Sequence, residues 1–470
     1  MSESTTSAAA GGSAVAEPAP ALVAGRRERV TPEVIERAVA GVVTAAGATR
    51  RLSPADRAAI LDRVALALAA DAERLAEDLA RESGFLTHRD MVLEVERAID
   101  VFTLTAAATR EGFDDMVNVA ASPRGRDTMA IVRRVPYGPV LGITAFNGPL
   151  LIAAHKVAPA IAAGAPIILK PAPAGPMAGV EFGEIVVGAG WPADALAVLP
   201  VGNEETMALI KDPRLPVVSF TGGEFGWVIK DAVPRKHVHL ELGGVGSVIV
   251  AADADLDEVA DHCVAGGFVR SGQACISVQR IYVHADVHDA LVDRLAERVA
   301  KVRAGDPMDP ETAVGPMVTE QAAERVQAMV DAAVAQGARV VQGGTREGAL
   351  VQPTVLSAAT GEMDVLRREI FGPVIAVAAV GSLEEAVAET NAVGGALHVG
   401  LFTQDIDIAL TLADQVNAGG VIVNGANAWR IDNMPYGGTG TSGFGREGVR
   451  AMVEELTDRK VVVLRHRPRL

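Results

Sequence analysis

From Ala130 the chain alternates short apolar runs with helical stretches, and this alternation constrains the fold more than any other feature. The runs AIVRRV, PVLGITAF, PIILK, ALAVL, PVVSFT, HVHLEL and SVIV follow one another up to Val250, with a helix expected at about 150–163. Such strand–helix–strand alternation predicts an α/β domain with a largely parallel sheet. A second α/β stretch follows, with helices near 255–271, 286–302 and 319–337 and strands near QRIYV, ARVVQ, PVIAVAAV, HVGLF and GVIVN. The N-terminal third reads as helical. Ser53-Pro54 makes a cap and first turn, and Ile60, Leu61, Val64, Leu68, Leu75 and Leu79 then recur at helical spacing. A second long helix is expected from about Arg89 to Arg110. The C-terminal run RKVVVLRHR reads as a strand with no obvious local partner, and such strands often pair with another element or another subunit.

The 470 residues exceed one ordinary core and imply two to four domains. With 49% hydrophobic and 22% charged residues the chain reads as globular and soluble. A net charge of −16 argues against a nucleic-acid or anionic-membrane surface, either of which needs a basic footprint. No run approaches the roughly 18–20 apolar residues of a membrane helix. The first 25 residues are rich in Ser, Thr, Ala, Gly and Pro and lack a basic start with an apolar run, so they read as a disordered tail and not a signal peptide. The two cysteines, Cys263 and Cys275, are too few for a disulfide scaffold and read as reduced, in the cytoplasm.

Two G-x-G-x-x-G matches, at Gly438 and Gly443, lack the context of a dinucleotide fingerprint. Too little chain follows them for a βαβ unit, so they read as a tight loop. His237, His239 and Glu241 alternate on one expected strand and share a face. A metal set there lacks a visible fourth ligand, and no metal is expected.

Three segments carry chemistry: GITAFNGPL with Asn147, HLELGG with Glu241 and SGQAC with Cys275. Singly each is weak, because a lone cysteine is more often buried and inert than nucleophilic. Together they make a mechanism. A thiolate adds to an aldehyde carbonyl, an Asn amide with a backbone N–H receives the oxyanion, and a carboxylate activates water to hydrolyse the resulting thioester.

With these residues in place the chain resembles the aldehyde dehydrogenase superfamily over everything after the tail. The supporting motifs are PYGPVLGITAFN, KVAPAIAAGAPIILKP, FTGG, LELGG, GQAC, EIFGPV and MPYGGTGTSGFGREG, in the family's order. The resemblance implies Cys275 as nucleophile, Glu241 as general base and Asn147 as oxyanion donor, with NAD or NADP as cofactor. By the same resemblance Thr144, Ala145 and Phe146 line the cofactor, Lys170 holds the adenosine ribose, and Gly222 and Gly223 approach the pyrophosphate. Glu369 and Phe371 hold the nicotinamide ribose and ring, and Lys156 matches a lysine sometimes assigned to proton relay. Tyr436 and Trp429 read equally as packing residues or as walls of the aldehyde funnel.

Some positions depart from the family pattern. Pro173 stands where a glutamate commonly bonds the adenosine ribose, so discrimination against a 2′-phosphate is lost. Gly223 replaces a serine, Gly440 a lysine, and Phe146 a tryptophan. The stretch NGANAWRIDNMPYGG is similar to subfamilies acting on small polar aldehydes of the lactaldehyde and phosphonoacetaldehyde type. Arg430 or Arg110 would meet an anionic substrate group, against the commoner role of a surface arginine.

The resulting expectation is a Rossmann-like cofactor domain from 26–115 and 138–247 and an α/β catalytic domain at 248–455. A small β oligomerisation arm joins 116–137 to 456–470 and, by resemblance, pairs across subunits in a homodimer or homotetramer. The reaction is oxidation of a small aldehyde to the acid. The rivals are a CoA-acylating dehydrogenase, which does not need Glu241, and a catalytically silent structural homologue.

Overall fold

In the computed structural model, which describes residues 19–465, two sheets carry the architecture. The centre of the first is five parallel strands: Leu196–Val198, Ile167–Lys170, Val140–Ile143, Val217–Thr221 and His237–Glu241, in that spatial order. The register is regular, with Val140 opposite both Ile167 and Val217. Strands covered by helices on both faces need apolar side chains in both directions, which is why these runs read as continuous and not alternating. The two innermost runs, Val140–Ile143 and Ile167–Lys170, are buried throughout.

This is the third–second–first–fourth–fifth order of a dinucleotide-binding sheet. The chain leaves the first strand in one direction and later returns on its other side. A crevice therefore opens at the carboxyl ends of the central strands. Ile143, Lys170, Thr221 and Glu241 are the last residues of four of those strands.

The helix Pro149–Ala163 is buried on all sides and forms the core between this sheet and an outer helical layer. The outer layer holds the helices Pro54–Ala70 and His88–Glu111. Ser53 caps the first of these in a capping box with Asp56, and Pro54 opens it. The apolar spacing from Ile60 to Leu79 predicts one continuous helix, but the backbone leaves helical geometry at Asp71 (φ −115°) and restarts as Ala72–Ser83.

The second sheet orders its strands Arg339–Gln342, Thr354–Ser357, Val374–Val380, Arg280–His284, Ser247–Val250, His398–Phe402 and Gly420–Val423. All pairings are parallel except the first. Cys263 lies on the helix Leu256–Phe268 in this unit's core, where burial pushes its thiol up. A separate three-stranded sheet lays Thr457–Arg465 along the whole of Thr128–Pro136, with Asp115–Val117 on the other side. Among the described residues no helix is long and apolar enough to cross a membrane.

Two expected boundaries move. Of the tail expected at 1–25, residues 1–18 lie outside the described residues, but Ala21–Val23 is a strand that extends the first sheet through Leu22 opposite Val198. It turns at Ala24-Gly25, both at positive φ, into Arg26–Glu28. Three consecutive apolar residues, all buried, outweigh the Pro/Ala/Gly composition around them. The end of the expected 248–455 unit also crosses over. Gly443–Phe444 pairs with His237–Glu241 at the far edge of the first sheet, and Met452, Val453 and Leu456 enter the core around Pro149–Ala163.

Leu22 is completely buried. Leu22→Ala is expected to cost about 2–5 kcal/mol of stability, by the usual cavity cost of a buried leucine. Thermal or urea unfolding checks this; an unchanged transition would mean that the segment is an unattached tail.

Candidate active site

A cavity of about 720 Å³ opens at the carboxyl ends of the central strands and runs between the two sheets. Thr144, Ala145, Phe146 and Asn147 enter it after the strand Val140–Ile143, and Lys170 enters from the neighbouring strand. Gly222 and Gly223 follow Thr221, while Glu241 ends its own strand. Cys275, Glu369 and Phe371 come from the second unit. Of the residues singled out in the sequence, Cys275, Glu241, Asn147 and the cofactor-binding set line one space, while Lys156 lies outside its lining.

Cys275 sits on a strained loop. Arg270 (φ 52°), Ser271 (φ 58°) and Gly272 (φ 70°) are consecutive left-handed residues. Such backbone persists only where its surroundings over-determine it. Here the Arg270 guanidinium pairs with the buried Glu94 at 2.9 Å and donates to the Asn147 carbonyl at 2.5 Å. The Arg270 backbone N–H donates to Asp90 at 3.2 Å, and the Ser271 hydroxyl donates to the Gly315 carbonyl at 2.9 Å. A Cβ on Gly272 would lie 2.1 Å from the Gly372 carbonyl oxygen, so the cysteine loop abuts the EIFGPV loop directly. Glu94 also accepts from the backbone N–H groups of Leu150 and Leu151, capping the helix that follows Asn147.

Asn147 is fixed from the other side. Its amide donates to the Gln273 carbonyl at 2.8 Å. An amide nitrogen carries two protons, so one is left for an oxyanion in the cavity. The Cys275 sulfur lies 3.0 Å from the Tyr436 hydroxyl, which donates to Glu241 Oε1 at 3.3 Å. Burial, reinforced by Glu447, pushes Glu241 up to about 7. Burial and then Glu241 push the Cys275 thiol well above its ordinary value. The Glu241 strand edge is braced by the C-terminal glycine loop, with Gly443 opposite Glu241 and the Leu242 N–H donating to the Ser442 carbonyl at 3.2 Å.

Behind these groups lies a buried charge network that the sequence did not announce. Arg430 donates to Glu447 at 2.8 Å and places its guanidinium 3.8 Å from the centre of the Tyr436 ring. Asp432 pairs with Arg97 at 2.5 Å and with His155 at 3.0 Å. Burial opposes ionisation of Glu447, but His155, Arg430, Lys156 and His239 hold its carboxyl down at about 2. Lys156 donates to the Ser219 and Thr221 hydroxyls at 3.0 and 2.8 Å, and burial pushes its ammonium down. His239 is lowered too, first by burial and then by Lys156, to about 3.

The other end of the cavity suits a dinucleotide. Lys170 lines it with no carboxylate partner among the described residues, and burial lowers its pKa. Gly222 approaches so closely that a Cβ there would meet the Phe220 ring at 2.5 Å. Glu369 accepts one bond, from the Gly244 N–H at 3.2 Å, and burial pushes it up to about 7, so its carboxylate gains from further donors such as ribose hydroxyls. A Cβ at Gly243 would lie 2.4 Å from Glu369 Oε2. Phe371, held at φ 50°, packs edge-on to Phe146 with centroids 5.9 Å apart. Pro173 lines the same end.

Some alternatives separate cleanly. Tyr436 reaches the reacting groups, while Trp429 is half-exposed and lies outside the cavity lining. Arg430 lines the cavity, but Arg110 pairs with Asp62 on the surface. His237 is exposed and stacks on Tyr137 at 3.4 Å, away from buried His239. Among the described residues no group of three His, Cys, Asp or Glu is placed to hold a metal. Arg97, Asp90, Glu94 and Arg270 escaped the sequence reading because single charges on helix faces usually mean a solvated surface. Glu447 was legible only as part of the GREG motif.

The chain is similar to known proteins over nearly its whole length. The aldehyde dehydrogenase family model matches residues 5–462. A 3-sulfolactaldehyde dehydrogenase of Priestia aryabhattai is 38% identical over 436 residues, covering 92% of this chain and 91% of that one. A lactaldehyde dehydrogenase of Methanococcus aeolicus is 34% identical over 425 residues, 88% and 89% of the two chains. Aldehyde dehydrogenase 21 from Physcomitrella patens, solved with the reaction product succinate, superposes with a TM-score of 0.91 at 34% identity, covering 95% and 98%. The glyceraldehyde-3-phosphate dehydrogenase GapN from Methanocaldococcus jannaschii, complexed with NADP, gives a TM-score of 0.88 at 32% identity, covering 94% and 97%. The chain belongs to the aldehyde dehydrogenase family and is an NAD- or NADP-dependent aldehyde dehydrogenase.

Proposed function

We propose that the protein oxidises a small polar or anionic aldehyde to its carboxylic acid through a covalent intermediate on Cys275. The observation that carries this reading is the convergence of Cys275, Asn147 and Glu241 on one cavity from three separate segments of chain. The Cys275 sulfur attacks the carbonyl carbon, and the free amide proton of Asn147 receives the oxygen as it gains charge. NAD(P)+, when bound, accepts the hydride of the former aldehyde carbon. Glu241 then takes a proton from water, whose oxygen attacks the thioester; the C–S bond breaks, and the departing sulfur takes up a proton to restore the thiol. Keeping such a carboxylate within reach of the sulfur favours hydrolysis over transfer to CoA. Lys170, Glu369, Phe371 and the Gly222–Gly223 turn would hold the cofactor. Pro173 leaves no anion to repel a 2′-phosphate, so both nicotinamide dinucleotides are to be assayed. The requirement for a reduced thiol supports a cytoplasmic location.

The substrate class rests on Arg97 and Arg430. Both line the cavity, while Asp432, which they share, lies outside its lining. Arg97 is one-third exposed and so retains donors for an incoming carboxylate, sulfonate or phosphonate. The three-stranded arm carries exposed Met116, Met129, Val461, Val463 and Leu464, an apolar surface that supports pairing with a second copy as a homodimer or homotetramer.

A panel of aldehydes assayed with both cofactors, following reduced nicotinamide, is expected to show turnover that Cys275→Ala abolishes. No turnover on any aldehyde sinks the reading. Because Glu241 acts as base only when deprotonated, hydrolysis is expected to rise with pH through about 7. Glu241→Gln should keep the amplitude of the burst of reduced cofactor and lose steady-state turnover; full steady-state activity would remove Glu241 as base. Arg97→Leu should raise KM for anionic aldehydes by about 10–100-fold, the loss of one charge-assisted hydrogen bond, with little change for neutral ones. Equal effects on both classes would refute the anion contact. Removing residues 457–470 should give monomers in light scattering after gel filtration, and an unchanged oligomer would exclude the arm as the interface.

A further inference from the structure

Tyr436 is placed in a way that packing alone does not explain. Phenylalanine would fill the same buried volume, and a buried hydroxyl needs only one partner. Here the hydroxyl instead touches both the Cys275 sulfur at 3.0 Å and Glu241 Oε1 at 3.3 Å. The phenol has one proton. With that proton given to the Glu241 carboxylate, the contact with Cys275 is S–H···O, so the chain of donors already points from sulfur to carboxylate.

The ring cannot drift from this position. Arg430 covers its face at 3.8 Å, and His398 packs against its edge with centroids 5.1 Å apart at 84°. Its backbone exchanges two hydrogen bonds with Glu447, at 2.8 and 2.6 Å. The residue is 1% exposed, so bulk water does not compete for the two contacts.

From this geometry we propose that Tyr436 is a further catalytic residue, relaying the thiol proton of Cys275 to Glu241 as the sulfur attacks. The proposal rests on the assignment of Cys275 as nucleophile and Glu241 as base. The S–H bond breaks and its proton joins the Tyr436 oxygen, while the original phenolic proton moves to Glu241. The sulfur electron pair forms the C–S bond, and the carbonyl π pair moves onto the oxygen beside Asn147. Tyr436 ends neutral, and the only net transfer is one proton from thiol to carboxylate. Glu241 then releases that proton before it activates water. The Arg430 guanidinium on the ring face stabilises the charge that builds on the phenol during the double hop. The charged and titratable groups around the relay are Arg430, Glu447, His398 and, beyond Glu241, Lys156.

The test is the alkylation of the full-length enzyme by iodoacetamide across pH 6–9, with labelling at Cys275 confirmed by peptide mass. Tyr436→Phe is expected to slow alkylation at neutral pH by about tenfold or more and to move the profile to higher pH. Glu241→Gln should also slow alkylation at neutral pH, because it removes the acceptor of the relayed proton, and the double variant should be no slower than the slower single one, because both interrupt one relay. On the wild type, a proton inventory of the cofactor burst should curve, as two protons in flight require. Labelling at Cys275 with an unchanged Tyr436→Phe profile, multiplicative losses in the double variant, or a linear inventory would each overturn the relay alone. Absence of labelling at Cys275 in the wild type would overturn the nucleophile assignment and the relay with it.

Discussion

The ion pair between Arg270 and Glu94 is the contact on which the site depends. Glu94 lies in the outer helical layer, and Arg270 lies on the loop that leads to Cys275. The same carboxylate caps the helix that begins after Asn147, and the same guanidinium holds the Asn147 carbonyl. A buried carboxylate and a partly buried guanidinium thus tie the Cys275 loop and Asn147 to one frame. Losing one partner of a buried pair strands the other charge and typically costs about 3–5 kcal/mol. Here it would also release three left-handed residues from the conformation that aims the cysteine.

Two carboxylates share the interior behind Cys275 and are driven to opposite states. Glu447 is surrounded by Arg430, His155, Lys156 and His239 and stays ionised. Glu241 has burial and the neighbouring Glu447 charge against it, so it titrates near neutrality. Environments that push two acids apart in this way divide their labour. Glu447 is a fixed counter-charge, and Glu241 is the group able to gain and lose a proton at working pH.

Much of the first sheet was legible because parallel strands buried on both faces leave long apolar runs, and Val140–Ile143 and Ile167–Lys170 are such runs. Cys275, Glu241 and Asn147 stood out as candidates because the chemistry of a thioester needs such a set and each sits in its own motif, and the structure brings all three to one cavity. The strand Ala21–Val23 was hidden by its surroundings, since three residues are too few to show a period. Asp71 broke an apolar spacing that gave no warning of the break. Arg97, Glu94 and Arg270 were invisible for a different reason: their value comes from partners distant in sequence, and a charge on a helix looks the same whether it meets water or a buried acid. The glycines at 438–445 read as a tight loop, but that this loop braces the Glu241 strand is a fact of tertiary pairing alone.

That pairing bears on the order in which the site assembles. Among the described residues, the strand that carries Glu241 is closed on its outer side by Gly443–Phe444, and Tyr436 and Glu447 belong to the same segment. All four follow Cys275 and Glu241 in the chain. A stretch that stops short of residue 436 would hold Cys275 without its phenol partner and the Glu241 strand with an open edge, so the site is closed by residues that come well after the ones it serves.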